Sequence, residues 1–482
     1  MEESSSPQYI CNRREDLHFE AKEAKKSIPK DAWETYSSFA NTDGGTIVFG
    51  IKEDEDGILH IVGTPDAENK IRNIWNVLND RQMVSVNLLT DKDIRIKEID
   101  EMKLIIMDVP RADRRDRPVF LNDNSRNSFI RNGESDRKCT RDEIDSMISD
   151  SLPREIDSVA IESLELSDLD SKTISSYRNS FRTLKPEHPW NELDDHEFLR
   201  VIGAAARTDG GGVVPTMAGL LMFGNEYTIS SIIHNYSIDY REYADDSTND
   251  WHYRLLGSSG DWSGNLFSFY QRCMNSIRVA LGEKFHIDEN LRRSENSGII
   301  IALREAVVNA LVNADYRITG GISIELRPRK FIVRNPGTFR IPLDVAMDGG
   351  ISDPRNRMLA KMFMLIGISE IAGSGMLRMR ESCRSNGFPN PEIEESFRIP
   401  MNVKVTINMV KDDKEPRNTI ESIIDIICKN DRISITQISE ELGISRTTVN
   451  TMMNRMKEMG ILTRVGGTRG RWVLDKHAYD RI

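Results

Sequence analysis

Glu305, Asn309 and Asn313 stand four residues apart in the stretch Leu303-Arg304-Glu305-Ala306-Val307-Val308-Asn309-Ala310-Leu311-Val312-Asn313-Ala314. On a helix that spacing aligns them as one polar stripe. Leu303, Ala306, Val307, Ala310, Leu311 and Ala314 fill the other positions with core-type residues, as on a helix buried on most sides. Asn is a poor helix-interior residue, so the stripe either faces water or lines a polar site. In the second case the chemistry is that of a nucleotide. Asn309 would hold a magnesium ion bridging phosphates, and Glu305 would orient or deprotonate a water. The later turn Gly373-Ser374-Gly375-Met376 would bring its backbone close to the phosphates at a helix N-terminus.

The elements that must position this stripe read as an α+β multidomain chain. Residues 1–14 are polar and read as loose. From 15 to 150, Thr46–Ile51, Leu104–Pro110 and Asn127–Asn132 read as strands. The connecting region 151–295 is read as helices at 166–184, 196–206, 217–224 and 261–282, with a strand pair over 230–243. A nucleotide-type α/β sandwich is placed at 296–410. A charged linker at 411–417, Lys-Asp-Asp-Lys-Glu-Pro-Arg, leads to a module at 418–482. That module reads as a winged helix: helices at 419–430, 434–443 and 446–459, then a hairpin from Ile461 to Leu474. Val449, Met452, Met453 and Met456 form the buried stripe of its third helix. Arg446, Thr447, Asn450, Asn454 and Arg455 are left outward, the types that reach base edges or phosphates. The hairpin tip carries Arg469 and Arg471 as a basic wing.

Composition narrows the class. The 482 residues suit several domains. They contain no run of about 18 apolar residues and no N-terminal signal segment, so neither a membrane nor a secreted protein is expected. Cys11, Cys139, Cys273, Cys383 and Cys428 are odd in number and far apart, which fits free thiols in a reducing cytoplasm. The net charge of −11 argues against non-specific coating of nucleic acid, yet residues 446–482 hold eight Lys/Arg against three Asp/Glu. A basic end on an acidic body suits one dedicated DNA contact. No Gly-x-x-x-x-Gly-Lys-Ser/Thr loop is present, so P-loop helicase chemistry is excluded.

The central stretch resembles the GHKL ATP-binding superfamily, whose N-box has the form Glu-x-x-x-Asn-x-x-x-Asn/Asp-Ala. It also resembles the RecG-like, divergent AAA regulators, through Arg355-Asn356 with Leu359-Ala360, then Gly373–Gly375, then Gly387 with Pro391. The resemblance implies a site for ATP and magnesium built from Asn309, Asn313, Asn335, Gly337, Arg355, Gly373 and Gly375, with Glu305 as the candidate ATPase base. Asn335 stands where the superfamily has the Asp that reads the adenine amine. Phe339 replaces a glycine, and Asn313-Ala314 replaces a His-Arg pair.

Glu15 to Lys22, Phe39-Ala-Asn-Thr-Asp-Gly-Gly45 and Phe49-Gly-Ile51 resemble the Schlafen AlbA_2 domain, which implies contact with DNA or RNA. Lys22, Arg131, Arg137, Lys138 and Arg141 are its candidate phosphate contacts. Related nucleases use a carboxylate trio, matched here by Glu15, Glu20 and Glu53. The leading expectation is a cytoplasmic, nucleotide-binding transcriptional regulator that binds DNA through its winged helix and acts as a homodimer. A metal-dependent nuclease or a slow ATPase, serving in defence against foreign nucleic acid, is the alternative.

Overall fold

The computed structural model describes residues 15–54, 56–152, 156–282, 298–369, 374–397, 400–411, 423–424, 426–428, 430–442, 446–458, 461–465 and 471–474. The expected loose segment 1–14, Gly373 and Arg469 lie outside these, as does the linker after Lys411. The chain divides into two compact units: residues 1–380 with 391–407, and residues 381–390 with 408–482. It is a mixed α/β multidomain chain.

In the first unit, a four-stranded sheet runs in the order Phe19–Lys22, Gly45–Phe49, Met102–Val109, Ile94–Ile99. Its first pair is parallel and the rest antiparallel. Helices Ala32–Asn41 and Ala67–Leu78 supply Tyr36, Phe39, Ile74 and Leu78 to the core beneath it. Gly44 and Gly45 are required by close packing. Gly44 has φ +73°, and a Cβ there would lie 2.8 Å from the Val109 carbonyl; at Gly45 it would lie 2.8 Å from the Phe39 ring. The strand Asn124–Asn132 leads to helix Arg141–Ser151. Thr140 and Glu143 cap that helix reciprocally, which satisfies two otherwise orphaned N–H groups.

A six-stranded sheet follows, ordered Trp251–Leu256, Ile238–Tyr243, Ile322–Leu326, Lys330–Pro336, Asn402–Asn408, Glu392–Ser396. Two of these strands come from before residue 295, so the sandwich does not start at 296 but recruits a hairpin from the connecting region. Ile238–Tyr243 lies parallel to Ile322–Leu326, a pairing between distant segments that local periodicity does not reveal. The expected strand pair at 230–243 is instead the end of helix Glu226–Ile232 and a single strand. The expected helix at 196–206 stops at Ile202, where Gly203 turns left-handed and Ala205–Arg207 becomes a strand. Helix Gly298–Asn313 packs on the sheet, and its apolar residues are buried nearly all round.

In the second unit, helices Ile435–Leu442 and Arg446–Glu458 and the hairpin Leu462–Val465 with Arg471–Leu474 enclose a small core. Val449, Met453 and Met456 are fully buried there, with Ile438, Leu462 and Trp472 against them.

Candidate nucleotide pocket and nucleic-acid surfaces

The polar stripe does not face bulk water. Glu305 is buried, and Glu305, Asn309 and Asn313 line one wall of a cavity in the first unit. Asn335, Thr338, Phe339, Asp353, Arg355, Gly375 and Met376 also line it. The cavity holds about 1100 Å³ of non-atom space, its open mouth included; the centre of a water molecule can move through about 120 Å³ of it. The glycine turn meets the stripe directly. A Cβ at Gly375 would lie 3.3 Å from both Asn309 Oδ1 and Glu305 Oε2, so any side chain there would crowd the two residues proposed to do chemistry. Helix Gly375–Ser385 starts at this point, with the N-terminal dipole end that favours anions.

The individual side chains differ in how free they are. Asn309 donates its amide nitrogen to the Met376 sulfur at 3.8 Å. Its carbonyl oxygen remains a hard ligand of the kind magnesium takes. Asn313 is engaged at both ends, donating to the Asn309 carbonyl at 3.0 Å and accepting from the Arg355 N–H at 3.4 Å. Glu305 has Arg304 at 3.3 Å and Arg378 at 3.7 Å. Asn335 is buried in the cavity wall and donates to the Pro336 carbonyl at 3.3 Å.

Two of the expected nucleotide contacts are placed differently. Gly337 is not in the wall. It has φ +97°, and a Cβ would lie 3.1 Å from the Asp315 Cβ and 3.3 Å from Arg355, so it is a glycine because the turn packs there. Arg355 reaches the wall, but its guanidinium is spent on protein: Asp150 Oδ1 at 2.5 Å and Oδ2 at 2.6 Å, the Thr338 carbonyl at 2.8 Å and the Asn313 carbonyl at 3.2 Å. It is a buried joint. Burial would raise the Asp315 carboxyl, yet Arg355 and Arg317 beside it hold it well below the usual carboxylate range.

This joint belongs to a polar seam between the N-terminal sheet domain and the sandwich. Arg111 grips Glu395 through both terminal nitrogens, at 2.6 and 3.0 Å, and also donates to the Phe339 carbonyl. Arg114 pairs with Asp353 at 2.5 Å. Ser146 donates to Asp315 at 2.7 Å. Thr338, Phe339, Asp353 and Arg355 thus serve the seam and the cavity at once. Sequence reasoning missed the seam; four arginines within residues 111–117 were the available signal.

The expected phosphate contacts of the N-terminal domain are also corrected. The Arg131 side chain is fully buried, held by Glu20 at 2.7 Å, Asp136 at 3.0 Å and the Asp16 carbonyl at 2.9 Å. It cannot reach a phosphate. Lys22 is bound to Glu20 at 2.6 Å and Asp31 at 2.8 Å. Arg137 is bidentate to Glu143. Lys138 and Arg141 remain exposed.

The carboxylate trio does not assemble as a metal site: among the described residues no three His, Cys, Asp or Glu side chains are placed to hold a metal ion. Glu20 is drawn into the Arg131 and Lys22 pairs instead. Glu15 accepts from the Ala21 N–H at 3.0 Å. Its carboxyl is pushed up to about 7, first by burial, then by Glu20, with Glu53 adding to it. The folded chain therefore binds more protons than the unfolded chain between about pH 4.5 and 7, and this group's contribution to stability falls as pH rises through that window. Glu15→Gln should melt at a higher temperature than wild type at pH 8 and converge with it near pH 4.5. Parallel curves at both pH values would show that Glu15 titrates normally.

On the winged helix, Arg446, Asn450 and Asn454 are exposed and four apart, with Arg471 exposed on the hairpin. Arg446 donates to the Thr436 hydroxyl. The side chains of Thr447 and Arg455 lie outside the described set. No helix among the described residues is long and apolar enough to cross a membrane.

Comparison with known families agrees with this layout. The Schlafen, AlbA_2 model matches residues 15–140. A domain of unknown function, DUF8451, matches 145–239. The HATPase_c_4 model, described as "Putative ATP-dependent DNA helicase recG C-terminal", matches 319–407. The winged helix-turn-helix DNA-binding model HTH_24 matches 417–463. No curated protein matches the chain. Among solved structures, the chain is similar to the DIP2311 protein from Corynebacterium diphtheriae, at 18% identity and TM-score 0.42, over 96% of this chain and 80% of that one. It is also similar to the N-terminal domain of a RecG-related protein from Nitrosomonas europaea, at 26% identity and TM-score 0.21, over 26% of this chain and 84% of that one. In order along the chain stand a Schlafen AlbA_2 domain, a RecG C-terminal-type domain and a winged helix-turn-helix DNA-binding domain, the Schlafen AlbA_2, RecG-like architecture expected from the sequence.

Proposed function

We propose that the protein is a nucleotide-responsive, DNA-binding transcriptional regulator that binds ATP with magnesium in the 305–376 cavity. The observation that carries this reading is the position of the stripe: Glu305, Asn309 and Asn313 line the cavity wall with Asn335 and Gly375. Asn309 is the residue that would hold magnesium, through an oxygen that has the right hardness. Magnesium there would neutralise phosphate charge. Asn335, in the cavity wall, would meet an adenine edge, and Gly375 would let the phosphates approach the helix N-terminus. Glu305 would orient a water or take its proton, which makes slow hydrolysis the accompanying activity.

The winged helix would read DNA through Arg446, Asn450 and Arg471, and the AlbA_2 domain would add a DNA or RNA contact. A cytoplasmic homodimer fits this reading, because winged-helix regulators read paired half-sites. The seam supports communication: Phe339, Asp353 and Arg355, which bond to Arg111, Arg114 and Asp150, also line the cavity. Coupling requires that nucleotide bind the DNA-competent arrangement with a different affinity.

The test is DNA affinity by mobility shift with and without magnesium ATP. A change of roughly 5- to 150-fold is expected, and an affinity that does not move at saturating ATP would remove the regulatory reading. Glu305→Ala should lower hydrolysis roughly 10²- to 10⁴-fold and keep ATP binding. Hydrolysis that survives it would exclude Glu305 as the base.

A further inference from the structure

A second cavity lies inside the seam, apart from the nucleotide pocket. Asn41, Arg117, Glu143, Ser146, Asp150 and Thr338 are among the residues that line it. It holds about 410 Å³ of non-atom space, and the centre of a water molecule can move through about 20 Å³. A single water needs roughly 10–15 Å³ of such space. The space therefore suits one particle of water or halide size.

Arg117 is the unusual member. It is only 6% exposed, and its Nε is fully buried with no hydrogen-bond partner. Its neighbours in the same segment are all matched: Arg111 with Glu395, Arg114 with Asp353, Arg115 with Asp113. Among the described residues Arg117 has no such acid. The carboxylates, the Ser146 hydroxyl and the Asn41 amide around the cavity are already engaged. Both Glu143 oxygens accept from Arg137, and the Asp150 carboxylate accepts from Arg355. Ser146 donates to Asp315, and the Asn41 amide bonds to the backbone of Val119 and Phe129. Burial, with Arg111 nearby, brings the guanidinium down to about 10, against the pull of Asp150 and Glu395, which leaves it charged at neutral pH. Those two acids are bonded to Arg355 and Arg111, so Arg117 is a buried cation with no acid bonded to it, which is costly. Water would satisfy its N–H groups but bring no charge.

We propose that the Arg117 cavity binds a small monovalent inorganic anion of halide size, which completes the charge balance of the seam and locks the AlbA_2 domain to the sandwich. Thermal melts of the full chain at constant ionic strength, with chloride replacing gluconate, would show a saturable rise. With chloride at ten times its dissociation constant the rise should be about 1–2 °C. In Arg117→Met the chloride dependence should vanish, whatever the variant's own Tm. Because that variant could fold poorly, a second measurement uses wild type alone. In crystals soaked in sodium bromide, an anomalous peak within hydrogen-bond distance of the Arg117 guanidinium is expected. Chloride and gluconate melts that coincide, or a bromide soak with no peak at Arg117, would overturn the proposal. Stabilisation by phosphate with none by chloride would equally overturn it, through the size of the ligand.

Discussion

Arg131→Met should lower the unfolding free energy by about 3–5 kcal/mol, the usual result of removing one partner from a buried ion pair. Among the described residues Arg131 is the cation paired with Asp136, and it shares Glu20 with Lys22. Its Nε and one terminal nitrogen also bond the Asp16 carbonyl. Removing it leaves the half-buried Asp136 without its cation and takes two donors from the Asp16 carbonyl, just ahead of the first strand. Urea unfolding of the full chain reads this directly. A variant that keeps wild-type stability while losing nucleic-acid affinity would return Arg131 to the role of a phosphate contact.

Arg355→Met should cost a similar amount, about 3–5 kcal/mol, and should also change the response to acid. Arg355 holds Asp150 and lies 3.5 Å from Asp315. Asp315 is depressed in the folded chain, with Arg355 the leading cause against burial. A depressed carboxylate lends stability that is full above its unfolded value, roughly pH 4, and is lost as pH falls through its folded value. Without Arg355 that value moves up, so the variant should begin to unfold at a higher pH on acidification than wild type. The same acid midpoint in both proteins would mean that Asp315 is held down by Arg317 alone.

How much of this was legible in the sequence depended on distance along the chain. The stripe of Glu305, Asn309 and Asn313 was readable because a four-residue period survives in the text and apolar neighbours frame it. The third helix of the winged module was readable for the same reason, through Val449, Met453 and Met456. The seam was not, because its pairs are far apart: Arg111 and Glu395 by 284 residues, Asp150 and Arg355 by 205. Charge alone says nothing about burial. Arg131 read as a phosphate contact because the Glu20 that neutralises it is 111 residues away. The sandwich boundary failed similarly, since the hairpin that completes the sheet is joined by a parallel pairing across about 80 residues, Ile238 with Ile322. Gly337 is expected among the nucleotide contacts, and its packing against Asp315 and Arg355 needed the fold.

The measurement closest to the central claim is calorimetric titration of magnesium ATP into the full chain and into Asn309→Ala. The account predicts saturable binding by wild type and its loss, by tenfold or more, in the variant, because Asn309 alone on the stripe has its oxygen uncommitted to a protein donor. Wild type that fails to bind up to millimolar ATP, or equal affinity in both proteins, would contradict it and leave the cavity without a nucleotide.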